Sequence, residues 1–357
     1  MAAPLVLPAN EALAQLGGFS AIIDARSQAE YALDHVPGAV NWPVLDNDER
    51  AEVGTLYKQV NPFSARKRGA ALVAANIARH ITAHLQDAPR GWQPLVYCWR
   101  GGQRSGSLAL VLGQIGFKVT LVEGGYKAYR AEVVAQIPAL AQALSFRVIC
   151  GPTGCGKTRL LHALAAAGAQ VLDLEALASH RSSVLGLIPG QPQPSQKHFD
   201  TLVWQALRCF NPVRPVYVEA ESKKVGNLAI PDALMQAMRA SPCLDLQLSD
   251  DERVQLLLED YDFLRRDTAL FAQRLDILTE LRGKATVDVW QMQIACGQIE
   301  AVVRDLLLVH YDPGYAQSIK RNFSLYPEAQ ALLPVDRSAA SMAQLAGNLL
   351  QRPGKAD

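Results

Sequence analysis

No run of about 18 apolar residues occurs in the 357-residue sequence, and the short apolar stretch in MAAPLVLPANEALAQL has no basic segment ahead of it. Neither a membrane span nor a secretory leader is expected, and the predicted location is the cytoplasm. Excess charge of one sign is lacking too. Lys and Arg number 35 against 34 Asp and Glu, a formal net charge of +1, so nucleic acid cannot be gripped by bulk electrostatics and any RNA contact must be a local patch. Candidate patches are Arg66-Lys67-Arg68, Lys223-Lys224, Arg265-Arg266 and Lys320-Arg321. The six cysteines, Cys98, Cys150, Cys155, Cys209, Cys243 and Cys296, form no CxxC pair, which argues against a zinc site or a disulfide framework. Internal repeats and low-complexity tracts are also missing. What remains is a soluble globular composition, 49% hydrophobic and 19% charged, long enough for two domains.

The pattern along the chain is α/β twice over. Short β-rich runs (AIIDARS, AVNWPV, PLVYC, KVTLVEGG) alternate with helical stretches (GAALVAANIARHITAHL, SGSLALVLGQIG), which predicts a mostly parallel sheet covered on both faces. After AEVVAQIPALAQALS, read as a helix interrupted at Pro138, the strand FRVIC opens a second doubly wound region. Its further strands are QVLDL, PVYVEAE and CLDLQLS, and a long loop rich in Pro, Gly and Gln covers 186–196. From Asp250 onward the pattern is nearly all helical. The expected domains are 1–140 and 141–357.

Two stretches carry chemistry. VYCWRGGQRS places Cys98 at a strand-to-helix turn, predicted to expose it at the apex. There the backbone N–H groups of Trp99 to Arg104 and the start of the next helix favour an anion above the sulfur. Arg100 and Arg104 add positive charge, Gly101 and Gly102 let the backbone curl, and Ser105 closes the turn. A thiol so placed is expected to ionise readily and act as a nucleophile. The spacing Cys98-x5-Arg104 is also that of phosphatase loops.

GPTGCGKT, Gly151 to Thr158, matches G-x-x-x-x-G-K-[ST] between an apolar strand and a helix, the context the motif requires. Gly151, Thr153, Gly154 and Gly156 shape a loop of inward-pointing N–H groups, Lys157 adds a point charge, and the Thr158 hydroxyl can reach Mg²⁺. Asp173 and Glu219, at the ends of QVLDL and PVYVE, are candidates for a metal partner or a helix cap; the metal itself is left unassigned. Cys155 is read as a small residue tolerated in the loop.

IIDARSQAEYALDHVPGAVNWP, VYCWRGGQRS and VTLVEGGYKAYR together resemble the rhodanese superfamily over about residues 5 to 130. That resemblance implies that Asp24 and Arg26 shape the site and that Cys98 carries a chalcogen; the Cys98 loop is one residue longer than the commonest rhodanese loop. With YCWRGGQRSGS, EGGYKAYR, GPTGCGKT, DLEALASHRSSVLG, QPSQKHFD and VEAESKKVGNLAIP, the chain resembles the tRNA 2-selenouridine synthases over nearly its whole length, although HRSSVLG departs from their His-Arg-Gly-Ser-like run. The resemblance implies a rhodanese-like domain followed by a P-loop domain with a helical C-terminal part. It also implies a transferase acting on the wobble 2-thiouridine of tRNA. By the same resemblance, geranyl diphosphate would alkylate the sulfur and selenophosphate would then supply selenium through Cys98, with no tightly bound cofactor expected and Mg²⁺ left open.

LVWQALRCF and VWQMQIACGQI are candidate linings for the geranyl tail, and Trp99, Tyr126 or Tyr129 are candidates to stack a flipped-out base. Two other readings stay open. One is a phosphatase or sulfurtransferase fused to a small-molecule P-loop kinase. The other is a non-catalytic docking module joined to a nucleotide switch.

Overall fold

The computed structural model describes residues 3–183, 185–188 and 190–351. Val184 of the HRSSVLG run, Pro189 of the long loop and the outermost ends of the expected domains lie outside the described residues. The chain divides into two compact units, Met1–Gln136 with Pro194–Gln205, and Ile137–Gln193 with Ala206–Asp357.

The first unit is built on five strands, β1 (Leu5–Leu7), β2 (Ala21–Asp24), β3 (Ala39–Asn41), β4 (Pro94–Tyr97) and β5 (Thr120–Val122), all parallel in the order β1-β5-β4-β2-β3. All four residues of β4 are buried, which is why the run PLVY is continuous rather than alternating: helices cover both faces of a parallel sheet. Ile23 and Val96 pack with Leu108 and Leu112 of the helix Gln103–Ile115. Gly116 ends that helix at φ 114°, a left-handed value that favours glycine.

Strand β1 has no counterpart in the sequence reading. It is a short edge strand whose Leu5 and Val6 are exposed, so it carries no burial pattern to detect. Nor does Pro138 interrupt its helix, which runs unbroken over Gly125–Ala143. Pro138 sits on the exposed face, where the carbonyl deprived of a donor meets water, while Val133, Ile137 and Ala141, spaced four apart, are buried. Pro194–Gln205 belongs to the first unit through specific bonds. Tyr129 Oη lies 3.0 Å from Thr201 Oγ1, Arg130 pairs with Asp200, and Trp204 Nε1 donates to Gln136 Oε1 at 3.0 Å.

The second unit holds β6 (Phe146–Cys150), β7 (Gln170–Leu172), β8 (Val216–Glu219), a small antiparallel hairpin β9 (Lys224–Val225) and β10 (Leu228–Ala229), β11 (Cys243–Leu246) and β12 (Gln330–Leu332). Its main sheet is parallel in the order β12-β11-β6-β8-β7, with β6 central. Strand β12 corrects the nearly all-helical reading after Asp250: three residues, two of them exposed, leave no alternation to detect. The helices between β11 and β12 form their own core around Leu264, Phe271, Trp290, Val302 and Leu306.

Candidate functional site

Cys98 directly follows the central strand β4, and the loop after it leads into the helix Gln103–Ile115. The thiol is not exposed at the apex as expected. Cys98 is 3% exposed, because the chain folds over it: Ser105 Oγ donates to Sγ at 3.1 Å, and the sulfur lies 4.0 Å from the Gly102 carbonyl oxygen. Arg100 to Gln103 take the exposed rim instead. A second turn closes the loop from the other side, with the amides of Tyr126 and Lys127 donating to the carbonyls of Cys98 and Trp99 at 2.8 and 3.1 Å. Gly125 adopts φ 58°, and a Cβ there would fall 2.3 Å from the Cys98 oxygen and 2.5 Å from the Gly101 nitrogen. The GG of EGGYKAYR is therefore demanded by backbone touching backbone.

Asp24 and Arg26 form a buried pair beneath this loop. Arg26 Nε donates to Asp24 Oδ1 at 3.0 Å, and Nη2 donates to Asp24 Oδ2 at 2.5 Å and to the Asp34 carbonyl at 2.6 Å. Its guanidinium lies 3.8 Å from the Tyr126 ring centre. Burial alone would depress the Arg26 pKa, but the Asp24 carboxylate outweighs it. The pair is thus a charged brace.

The two loop arginines part company. Arg104 Nη1 donates to Glu30 Oε2 at 2.7 Å, and that pairing, against the opposing pull of burial, holds the Glu30 carboxyl below its usual range. Arg100 remains exposed. Among the aromatics, Tyr126 and Tyr129 are buried, their hydroxyls bonded to Asp34 and Thr201, so neither can receive a base. Trp99 is half-buried, with the Lys197 ammonium 5.9 Å from its ring centre.

In the second unit, Gly151 to Thr158 leaves the C-terminal end of β6 and enters the helix Lys157–Ala166. In open parallel sheets this is the edge where ligands bind. Gly151, Gly154 and Gly156 all take positive φ, and a Cβ on Gly151 would lie 2.3 Å from the Leu246 oxygen. Lys157 Nζ folds onto the loop, donating to the carbonyls of Gly151 and Pro152 at 2.9 and 3.3 Å. Tyr315 Oη accepts from the Gly151 amide at 2.5 Å. Cys155 is fully buried, and burial pushes its thiol up, in keeping with a packing role. Arg253, also buried, supports the loop from below: Nε donates to the Thr153 carbonyl at 3.0 Å while Nη2 donates to Asp312 Oδ1 at 2.5 Å.

Asp173 and Glu219 take different roles. Asp173 caps the following helix, accepting from the Ala176 amide at 2.8 Å, and its other oxygen meets His162 Nε2 at 3.0 Å. Glu219 joins Glu175 and Glu221 in a cluster whose ligating oxygens lie within 4.8 Å of one another. Burial lifts all three carboxyls, Glu175 to about 8; the charge of Glu219 adds to the rise at Glu175, those of Glu175 and Glu219 at Glu221 and that of Asp173 at Glu219, while Lys157 pulls the other way. Lys157 responds in kind: burial presses its ammonium down, and Cys155 together with Glu219, Glu221 and Glu175 more than reverses this. Glu219 Oε1 is buried without a hydrogen-bond partner. Three crowded carboxylates with one orphaned oxygen suit a hard divalent cation such as Mg²⁺.

Glu30, Glu175, Glu221, Arg253 and Tyr315 were not singled out from the sequence. Only Glu175 and Glu221 left a signal, each two residues beyond an acidic residue already at the end of a strand run; the other three come from distant segments. The two expected tail linings fare differently: Ile299, at the end of VWQMQIACGQI, lines a pocket in the helical part of the second unit, whereas the tryptophans of both stretches do not. Trp204 belongs to the first unit and Trp290 is buried in the helical core. The basic groups are all exposed, with Arg68 paired to Glu52 and Arg265 and Arg266 to Asp262.

Residues 8–132 match the rhodanese-like domain family, and residues 144–275 match the tRNA 2-selenouridine synthase AAA domain family. Among known proteins, the chain is similar to the tRNA 2-selenouridine synthases of Nitrosomonas europaea (36% identity over 67% of this chain and 63% of that one) and Alcanivorax borkumensis (36% over 67% and 66%). That of Shewanella denitrificans is 32% identical over 76% of this chain and 72% of its own length. The match thus spans just under two thirds of the length of the first two relatives. Among the described residues, no helix is long and apolar enough to cross a membrane.

Proposed function

The chain belongs to the tRNA 2-selenouridine synthase family, and from that premise we propose that it replaces the 2-thio sulfur of a wobble 2-thiouridine in tRNA by selenium, in two steps at two anion sites. In the first, the thio sulfur attacks C1 of geranyl diphosphate, the C–O bond breaks, and diphosphate leaves with the bonding pair. Gly151 to Thr158 is the site for that leaving group, its amides and Lys157 turning from the loop's own carbonyls to the phosphate oxygens. In the second, Cys98 carries selenium from selenophosphate as a selenosulfide whose terminal selenium attacks C2, and geranylthiolate leaves. An external thiol then cleaves the resulting Se–S bond, releasing the selenated base and leaving a mixed disulfide on Cys98.

The observation that carries this reading is the pairing, in one chain, of a cysteine held by Ser105 at a strand-to-helix turn with a glycine-rich loop whose lysine lies among the charges of a carboxylate cluster. Glu175, Glu219 and Glu221 fit Mg²⁺, which would place positive charge close to Lys157 and the departing diphosphate. The first unit's role is narrower. Attack of the Cys98 thiolate on the selenium of selenophosphate breaks the Se–P bond and leaves the electron pair on phosphorus, so the by-product is phosphite. Direct attack by selenium on the base, followed by hydrolysis, would release phosphate.

The test is to incubate the protein with 2-thiouridine tRNA and geranyl diphosphate, add selenophosphate, and follow the nucleosides by mass spectrometry and phosphorus by ³¹P NMR. Lys157→Ala should slow geranylation by about 10²-fold or more. Cys98→Ser should block selenium incorporation and leave geranylation intact. Loss of geranylation in a folded Cys98→Ser protein would sink the division of labour, and phosphate as the sole phosphorus product would remove Cys98 from the selenium path. Affinity for tRNA should fall steeply with salt if the exposed basic groups contact the backbone.

A further inference from the structure

The helical part of the second unit contains a pocket of about 520 Å³, counted out to its open mouth, that begins at the phosphate loop itself. Thr153 of the loop forms one edge, and the walls include Leu257, Tyr261, Phe271, Val303 and Leu306. Loop and wall are in contact, since a Cβ placed on Gly154 would lie 3.1 Å from Leu257 Cγ. Few polar groups line it. Ser183 Oγ and Tyr261 Oη face each other at 3.4 Å, and Arg265 is held by Asp262 at 2.8 Å.

We infer that this pocket receives the hydrocarbon tail of a prenyl diphosphate whose head group lies on Gly151 to Thr158; the inference rests on the proposed diphosphate role of that loop. An apolar hollow joined to an anion cradle matches an amphiphile, charged at one end and apolar along the rest. A nucleotide fits less well. A purine in these walls would lose water from its ring nitrogens and exocyclic amine, and the lining offers few partners to replace it. Phe271 and Leu306, both in the pocket wall, would limit chain length.

The test measures equilibrium binding of inorganic pyrophosphate, ATP, and the C5, C10 and C15 prenyl diphosphates to the full chain by calorimetry. Each buried methylene contributes roughly fourfold in affinity, so geranyl diphosphate should bind at least about tenfold more tightly than pyrophosphate or the C5 ester, and more tightly than ATP. Val303→Trp, which fills the pocket, should abolish that advantage while pyrophosphate affinity stays unchanged, which also reports that the phosphate loop is folded. Phe271→Leu, which lengthens the pocket, should shift preference towards the C15 ester.

If pyrophosphate and geranyl diphosphate bind equally well, the pocket inference falls and the phosphate-loop reading survives. If the tail advantage persists in Val303→Trp, the tail lies elsewhere and the inference is again overturned. Absence of binding by any diphosphate would overturn the phosphate-loop reading and this inference with it.

Discussion

Exchanging Glu175 for Gln removes one of three crowded carboxylates while keeping its shape, and its effect on stability changes with pH in a direction the structure dictates. Burial, and after it the charge of Glu219, raises Glu175 to about 8 from an ordinary 4.5. The folded chain therefore keeps a proton that the unfolded chain releases near 4.5. The resulting preference for the folded state is complete below that value and is lost as pH climbs through about 8. At ~1.4 kcal/mol per pH unit the interval sets a ceiling of ~5 kcal/mol, and proton sharing with Glu219 and Glu221 together with water entry reduces the expected figure to ~2–3 kcal/mol.

Glutamine has no charge to bury. In urea titrations with EDTA, Glu175→Gln should match the parent only near pH 4, where both states of the parent keep the proton, and should exceed it by ~2 kcal/mol near pH 9. Adding Mg²⁺ near pH 9 should reverse the order, because the ion binds the folded parent in place of the proton and finds one ligand fewer in the variant. A variant less stable than the parent near pH 9 in EDTA would refute the idea that these carboxylates oppose one another, and an unchanged response to Mg²⁺ would remove Glu175 from the ion's ligands.

Gly125→Ala forces a Cβ to within 2.3 Å of the Cys98 carbonyl at φ 58°; positive φ alone costs ~1–2 kcal/mol, and with the clash the first unit should lose ~3 kcal/mol or more. Its Cys98 should react with iodoacetamide at a changed rate, and an unchanged rate would mean the turn does not hold the loop. Glu30→Gln releases Arg104 from its 2.7 Å partner, so alkylation of Cys98 by anionic iodoacetate should speed up relative to neutral iodoacetamide; an unaltered ratio would place Arg104 out of reach of the sulfur. Arg253→Met leaves Asp312 and the Thr153 carbonyl without their buried donor, which should cost ~3–5 kcal/mol. It should also weaken pyrophosphate binding, and intact affinity in the folded variant would show the loop needs no such support.

Much of the fold was legible because parallel strands buried on both faces leave continuous apolar runs. PLVY and FRVIC became the central strands β4 and β6 on that signal alone. Strands β1 and β12 were not legible because edge strands of three residues, two of them exposed, carry no periodicity. Pro138 misled for a related reason: a proline's effect on a helix depends on whether the carbonyl it deprives is buried or wet, and one-dimensional order does not reveal which.

The sequence by itself determined where the Cys98 loop and the Gly151–Thr158 loop lie, because each is a contiguous motif whose glycines, charges and flanking strand and helix act over a few residues. Asp24 with Arg26 entered only through the rhodanese resemblance, and the structure closes that pair over two positions. Only the tertiary structure decided what surrounds them. Arg104 turns to Glu30, 74 residues away in sequence. The backbone carbonyl of Cys98 is closed off by a turn that begins at Gly124 and Gly125, and Arg253 braces a loop 100 residues upstream. Glu175 arrives from a different segment to crowd Glu219 and Glu221. Electrostatic partners and burial are properties of distance in space, and a sequence motif specifies that distance only across the few bonds it spans.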